Sequence, residues 1–150
     1  VLRAFKGVEH RIEFVRALAG VSYYNDSKAT NTDSAIKALE AFDGHIILVA
    51  GGDDKLTDLG AFMELVHARV DELILVGDAA ERFAAAARDA GIPEAQIHHV
   101  GYHMEKAVQL ARELAAAGQI VLLSPACASF DMYGGYEERG RDFKRLVNEL

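Results

Sequence analysis

The sequence predicts a three-layer, Rossmann-like α/β domain, with a mostly parallel sheet of about six strands and an antiparallel hairpin at one edge. Three short apolar runs, "HIILVA" (45–50), "ELILVG" (72–77) and "QIVLLS" (119–124), alternate with segments of helical period. Runs without polar interruptions are typical of parallel strands that are buried on both faces between helices. The opening stretch "RIEFVRALAGVSYYND" instead indicates two strands joined near Gly20, and therefore a hairpin.

Helices are expected between these strands, because apolar residues recur there with a period near 3.6. The predicted helical segments are 30–42, 58–70, 79–90, 103–117 and 137–149. A weaker strand is expected at 96–100, after the breaker "AGIP". Glycine and proline lie at the joints, so we expect a single domain after residue 10.

Composition limits the classes of partner. At 150 residues and 51% hydrophobic content, the chain can bury one core. A net charge of −7 without a basic block argues against nucleic acid and membrane surfaces, although local cations could still bind a small anion. The lone Cys127 fits a reducing compartment, and no apolar run approaches the ~18 residues of a membrane span. We expect a cytoplasmic protein. The N-terminus has neither an initiator methionine nor a signal peptide, so we also expect a fragment of a longer chain.

Ligands of such sheets bind beyond the carboxyl ends of the strands, so the residues at those ends are the candidates for function. The first end, "YYNDSKATN" (23–31), offers Asp26, Ser27 or Thr30 as the cap of the next helix. Lys28 beside free N–H groups at a helix start could form an anion site. The simpler alternative is one helix cap and a solvated lysine.

The second strand end is "VAGGDDKLTD" (49–58). Gly51 and Gly52 permit a tight turn and the close approach of a ligand, and Lys55 follows them. Thr57 or Asp58 could cap the next helix. The spacing is not that of a P-loop, so a solvated lysine in a turn remains an alternative to an anion contact.

The third strand end, "LLSPACASFDMYGGYEERG" (122–140), is an unusually long connection, and such connections are often functional. Ser124 and Ser129 lie near its start. We interpret Cys127 as a small buried thiol rather than a nucleophile. His98 and His99 face opposite sides of a strand, and we expect no metal held by this domain alone. The residues by themselves therefore suggest a small anionic ligand, such as a carboxylate, and name no reaction.

Four motifs carry a resemblance to a known family: "HR" (10–11), "NDSKATN" (25–31), "GGDDK" (51–55) and "SPACASFDMYGGYEERG" (124–140). Together they resemble the C-terminal domain of the Mur ligases, and within that family the D-glutamate-adding branch. The resemblance runs from about residue 5 to the end. It implies that residues 1–10 end an interdomain linker and that 11–150 form the amino-acid-binding domain. The UDP-binding and central ATPase domains would lie outside this chain.

The resemblance also implies an activity for the parent protein. It would be an ATP-dependent amide ligase of peptidoglycan synthesis, adding D-glutamate to UDP-N-acetylmuramoyl-L-alanine through an acyl phosphate. ATP and Mg²⁺ would be held mainly by the central domain, so the isolated domain should be inactive. The alternatives are the same domain of another Mur ligase or of a folylpolyglutamate synthetase, and a non-catalytic, doubly wound binding module.

The matching motifs assign roles to individual residues. Arg11 and Lys28 would approach the ATP phosphates and act in catalysis, and Asp26 would lie at the ribose. Asn25 would shape the turn. The predicted contacts of D-glutamate are Thr30, Lys55, Ser129, Phe130 and Tyr136. The last stands where a phenylalanine is expected, and Glu9 stands where many relatives have proline.

Overall fold

The computed structural model describes residues 8–150. Its strands are β1 (Glu13–Leu18), β2 (Val21–Asn25), β3 (Ile46–Gly51), β4 (Val70–Val76), β5 (Ile97–His99) and β6 (Ile120–Leu123). Its helices are α1 (Thr32–Glu40), α2 (Gly60–Arg69), α3 (Ala80–Asp89), α4 (Met104–Leu114) and α5 (Tyr136–Asn148). All six strands form one sheet in the order β1-β2-β6-β3-β4-β5. The predicted segments are therefore confirmed, with bounds shifted by a few residues.

The sheet combines one antiparallel pair with parallel pairs, as the sequence predicts. β1 and β2 form the hairpin, and Glu13 lies opposite Asn25. The pairs β2–β6, β6–β3, β3–β4 and β4–β5 are all parallel. The carboxyl ends of the parallel strands consequently meet at one edge. The start of β1 lies at that same edge, because β1 runs in the opposite direction.

Two apolar clusters fill the spaces on the two faces of the sheet. Alternate residues of β3 point to opposite sides: Leu48 joins a cluster with α1, α2 and α3, and Val49 joins one with α4 and α5. Every residue of β3 is buried. This burial on both faces explains why the strand has no polar alternation.

The helix caps differ from those expected. Helix α1 is capped by Asn31, whose side chain accepts a hydrogen bond from Ser34 N at 2.9 Å. The expectation that Asp26, Ser27 or Thr30 would cap it was therefore wrong, because a tight turn delays the helix (Ala29 N donates to Asp26 O at 3.0 Å). At α2 the cap position is Leu59, and Asp58, one residue earlier, accepts from Gly60 N at 3.1 Å.

The predicted linker end lies mostly outside the described residues. Of that segment, His10 is 2% exposed and adopts a left-handed backbone conformation, with φ of 66°. Its carbonyl accepts a hydrogen bond from Lys28 N at 2.9 Å, so the chain just before the hairpin is fixed to the loop after β2.

Candidate substrate site at the carboxyl edge of the sheet

Three loops meet at this edge: those after β2 (26–31), β3 (52–59) and β6 (124–135). Main-chain hydrogen bonds fasten them together. Asp26 N donates to Leu123 O at 2.7 Å, Gly51 N to Pro125 O at 2.9 Å, and Asp53 N to Ala128 O at 2.9 Å. The loops therefore form one continuous surface, which carries residues of the three longer motifs noted in the sequence, and the "HR" motif (10–11) precedes β1 at the same edge.

Asp26 is buried at the junction of these loops, with 3% exposure. Its Oδ1 accepts from Ile12 N at 3.0 Å, and its Oδ2 accepts from Ser124 Oγ at 2.7 Å. Burial raises the pKa of Asp26 to about 7, although both hydrogen bonds favour the charged form. The carboxyl thus ties the start of the hairpin to the end of β6. Its predicted contact with a ribose remains a prediction.

A cavity of about 220 Å³ opens beside Asp26. Arg11, Ile12, Asp26, Lys28, Ala29, Ser34, Lys37 and Ala38 line it. Three cationic side chains surround one carboxyl, so the cavity is positive in a chain of net charge −7. Within residues 8–150, Lys28 and Lys37 have no ion-pair partner within 4 Å. The residues present therefore suit the phosphates of a nucleotide. The structure brings Arg11, Asp26 and Lys28 together, and adds Lys37, which sequence reasoning did not single out.

The turn from β3 into the following loop requires two glycines, Gly51 at the end of the strand and Gly52 at the start of the loop. A Cβ on Gly51 (φ 111°) would lie 2.1 Å from Val76 O, and one on Gly52 (φ 139°) would lie 2.5 Å from Ala128 O. The following residues are held by α3. Arg82 Nη1 donates to Asp54 Oδ1 at 3.2 Å, and the same guanidinium also donates to Thr57 O. Lys55 extends from this braced loop into solvent.

Ser129 and Phe130 lie side by side in the loop after β6 with opposite exposure. Ser129 is 2% exposed, and in the described part of the chain its Oγ has no hydrogen-bond partner. A buried hydroxyl without a partner is costly, so a bound ligand would be a favourable partner for it. Phe130 is 69% exposed. Cys127 is buried, which raises the pKa of its thiol to about 12, so the structure supports a structural thiol rather than a nucleophile.

Tyr136 begins α5 and lies beside the loop after β2. Its ring packs edge-on against His10, with 6.0 Å between ring centroids, and its carbonyl accepts from Ser27 Oγ at 2.7 Å. Thr30 is half-buried in the same loop as Ser27. The structure thus places the predicted amino-acid contacts on all three loops. Their roles remain predictions.

The sequence profile described as "Mur ligase, glutamate ligase domain" matches residues 10–127. The chain belongs to this family. The UDP-N-acetylmuramoylalanine–D-glutamate ligase of Thermoanaerobacter sp. (strain X514) is 50% identical over 149 residues, which is 99% of this chain and 33% of that protein. The enzyme of the same name from Clostridioides difficile (strain 630) is 49% identical over 150 residues, again 33% of its length. The glutamate ligase domain thus spans a third of these relatives, and the resemblance noted in the sequence is confirmed.

Solved structures show the same fold at lower identity. Mycobacterium tuberculosis folylpolyglutamate synthase, complexed with ADP and AMPPCP, matches with a TM-score of 0.64 and 16% identity, over 90% of this chain and 32% of that one. The MurF ligase from Thermotoga maritima, in complex with ADP, matches with a TM-score of 0.56 and 18% identity, over 96% of this chain and 32% of that one. The three-layer α/β fold of the glutamate ligase domain is therefore confirmed.

Sequence reasoning missed two arginines of this glutamate ligase domain, Arg82 and Arg139. Arg139 is 3% exposed and donates twice to Ser27, from Nε to Oγ at 2.9 Å and from Nη2 to the carbonyl at 2.8 Å. Burial lowers its pKa to about 10, which leaves the guanidinium charged at neutral pH. A signal was present, since Arg139 lies on the buried stripe of α5 with Phe143 and Leu146. No comparable pattern marks Arg82.

Metal ligands are not grouped in the described part of this domain. Across residues 8–150, no cluster of three or more His, Cys, Asp or Glu side chains could hold an ion. His98 pairs with Glu72 at 2.7 Å, and His99 lies 3.8 Å from Glu81. No helix in the same range is long and apolar enough to cross a membrane.

Proposed function

We propose that this chain is the amino-acid-binding lobe of an ATP-dependent ligase that joins D-glutamate to UDP-N-acetylmuramoyl-L-alanine in cytoplasmic peptidoglycan synthesis. The observation that carries the proposal is the convergence of Lys28, Thr30, Lys55 and Ser129 on three loops fastened to one another. Identity near 50% to named D-glutamate ligases, across the whole chain, supports the choice of amino acid.

The chemistry of D-glutamate suits the site. Its two carboxylates lose hydration on binding, so they need charge-assisted donors and directed hydroxyls. Lys55 supplies an exposed ammonium, and Ser129 supplies a buried hydroxyl that lacks a partner within residues 8–150. Thr30 would add a second hydroxyl. Phe130 and Tyr136 would flank the carbon chain.

The cationic cavity suits the nucleotide. ATP would supply the activation of the acceptor carboxylate as an acyl phosphate, which the amino group of D-glutamate then displaces. Arg11 and Lys28 would bind the phosphates and offset the negative charge that develops there during transfer. Asp26 would approach the ribose. Mg²⁺ would be held mainly by the central domain of the parent protein, as the resemblance to the Mur ligases implies.

The parent protein would complete the site by closing its other domains over this edge. Closure excludes water that would otherwise hydrolyse an acyl phosphate. Phe130 and Leu56 are 69% and 74% exposed, which suits contact with a closing domain or with substrate. The 150-residue chain alone should accordingly bind weakly and turn nothing over.

The test is an assay of the full-length protein that contains this chain. With ATP, Mg²⁺ and UDP-N-acetylmuramoyl-L-alanine, we expect phosphate release on addition of D-glutamate, and a product heavier by one glutamyl unit in mass spectrometry. L-glutamate and diaminopimelate, with their own acceptors, are the controls. Turnover of a folate acceptor with L-glutamate would instead establish a folylpolyglutamate synthetase. Absence of turnover with every pair would favour a binding module.

A further inference from the structure

Arg139 belongs to the "EERG" end of the third motif, and the proposed function gives it no role. Its side chain leaves the buried face of α5 and runs under the loop after β2. Burying a guanidinium costs free energy unless its donors are satisfied. Two of its three nitrogens are satisfied by the same residue, Ser27, in a fork of 2.9 and 2.8 Å.

Ser27 is held at every polar atom. Its N donates to Asn25 Oδ1 at 3.1 Å, and its Oγ accepts from Arg139 while donating to Tyr136 O at 2.7 Å. Its carbonyl accepts from Arg139 Nη2. The next residue is Lys28, and Thr30 follows two positions later. Arg139 therefore fixes the backbone from which the predicted phosphate contact and one predicted amino-acid contact both project.

The third nitrogen of Arg139 faces the other two loops. A Cβ added to Gly52 would lie 3.4 Å from Nη1, 3.1 Å from Cys127 Cβ and 2.5 Å from Ala128 O. Nη1 is buried and has no hydrogen-bond partner within residues 8–150. The guanidinium thus lies where the loops carrying Lys55 and Ser129 pack against each other. Its Nε and Nη2 atoms donate to Ser27, in the loop that carries Lys28.

We propose that Arg139 is a positioning residue that sets the three loops in one arrangement, so that affinity for ATP and affinity for the amino acid depend on it together. The proposal rests on the function proposed above. In this proposal Arg139 acts without contacting either substrate, through its hydrogen bonds to Ser27 and through the packing against Gly52.

Lysine at this position separates geometry from charge. It keeps the positive charge, but a single ammonium cannot place two donors in the planar fork that Ser27 accepts. A residue needed only to fill the core would leave substrate affinity unchanged at temperatures well below unfolding. A positioning residue would change KM at those temperatures.

The experiment measures KM for ATP and for D-glutamate, with kcat, in the full-length ligase carrying Arg139→Lys or Ser27→Ala. We expect both KM values to rise about tenfold or more in Arg139→Lys, as expected for loss of a charged hydrogen bond. Ser27→Ala should raise both by about tenfold, because it removes the charged hydrogen bond from Arg139 Nε as well as the bond to Tyr136 O. Arg145→Lys is the matched control, since Arg145 lies on the same helix in exposed ion pairs with Asp142 and Glu149. It should change neither.

A chemical rescue adds a second readout. In Arg139→Ala, added guanidinium ion at tens of millimolar should lower both KM values saturably, and equal concentrations of urea or sodium should not. KM values within twofold of wild type in Arg139→Lys would overturn the proposal, as would a rise in only one of them. If the wild type accepts another amino acid, the proposed function fails, and the same paired KM comparison with that amino acid still decides the role of Arg139. If Arg139→Lys does not fold, Ser27→Ala decides.

Discussion

Ser124 donates a hydrogen bond of 2.7 Å to Asp26, although the two residues lie 98 positions apart in the chain. They follow the ends of the neighbouring parallel strands β6 and β2. Each is almost fully buried, so the contact is shielded from water. Burial dominates the titration of Asp26, and its pKa rises to about 7 despite the hydrogen bond.

The raised pKa of Asp26 predicts a pH-dependent stability. Between about pH 4 and pH 7 the folded state holds a proton that the unfolded state releases, so the free energy of unfolding should fall as pH rises through this window. Below it the carboxyl is neutral in both states. A shift of roughly three pKa units corresponds to at most about 4 kcal/mol. Asp26→Asn should abolish this pH-dependent contribution, because an amide does not titrate in this range. The amide can still accept from Ile12 N and donate to Ser124 Oγ, so both hydrogen bonds are kept.

Denaturant unfolding at pH 4.5 and pH 8 gives the free energy of unfolding of wild type and of Asp26→Asn. The change with pH in the difference between the two proteins measures the contribution of Asp26. We expect the variant to gain relative stability at the higher pH. Asp33→Asn is the matched control, since Asp33 is exposed in the first turn of α1. A difference that stays constant between the two pH values would contradict the prediction.

Lys55→Ala in the full-length enzyme should raise KM for D-glutamate by about ten- to a hundredfold, the expected loss for a charged hydrogen bond to a carboxylate. KM for ATP should stay close to wild type, since Lys55 lies on the loop after β3 and not in the cationic cavity. Steady-state kinetics check both values. Lys106→Ala, on the exposed face of α4, is the control. A selective loss of ATP affinity would refute the assignment of Lys55.

Arg82→Ala should raise KM for D-glutamate by about three- to tenfold, although Arg82 is not among the predicted substrate contacts. The reason is that the loop carrying Lys55 loses the hydrogen bonds that Arg82 donates to Asp54 and Thr57. Arg88→Ala removes an arginine of the same helix whose partner is Glu94, and it should have no kinetic effect. Titration of D-glutamate at saturating ATP distinguishes the two. Equal KM values in both variants would show that α3 does not brace the loop.

Gly52→Ala tests how tightly the loops after β3 and β6 are packed. The added Cβ would lie 2.5 Å from Ala128 O, so overpacking should cost about 1–3 kcal/mol beyond the backbone strain at positive φ. Gly118→Ala controls for that strain, since Gly118 also has positive φ (94°) but a Cβ added there would meet no atom within 4 Å. Denaturant midpoints should therefore fall further for Gly52→Ala. Equal losses would mean that the loops separate easily.

The sequence sufficed where local pattern and global packing agree. The unbroken apolar run of β3 indicated a strand covered on both faces, and the structure buries all of it. The hairpin turned where Gly20 suggested, since glycine adopts its φ of 80° without strain. The motifs at the strand ends marked the loops that meet at one edge, because parallel strands leave their carboxyl ends together.

The sequence could not assign the polar residues inside those loops. Asp26 is a residue type that commonly caps helices, and its position before a predicted helix suggested that role. Only the tertiary structure shows that its carboxyl accepts hydrogen bonds from Ile12 and Ser124. Arg139 followed an acidic helix start and carried no local sign of its partner, although it reaches Ser27, which lies 112 positions earlier. Such contacts depend on which strands become neighbours, and local periodicity carries no information about that.

The sequence by itself determined the fold class, the family and the three segments that form the site, since each depends on residue type at short spacing. Tertiary structure decided which polar side chains form internal hydrogen bonds between the loops and which remain available for ligands. The physical reason is burial. The same acid, hydroxyl or cation seeks an internal partner when packing removes it from water, and stays available to a ligand at the open edge. Ser129 combines both situations: it is buried, and its Oγ has no hydrogen-bond partner within residues 8–150, so it remains available to a ligand.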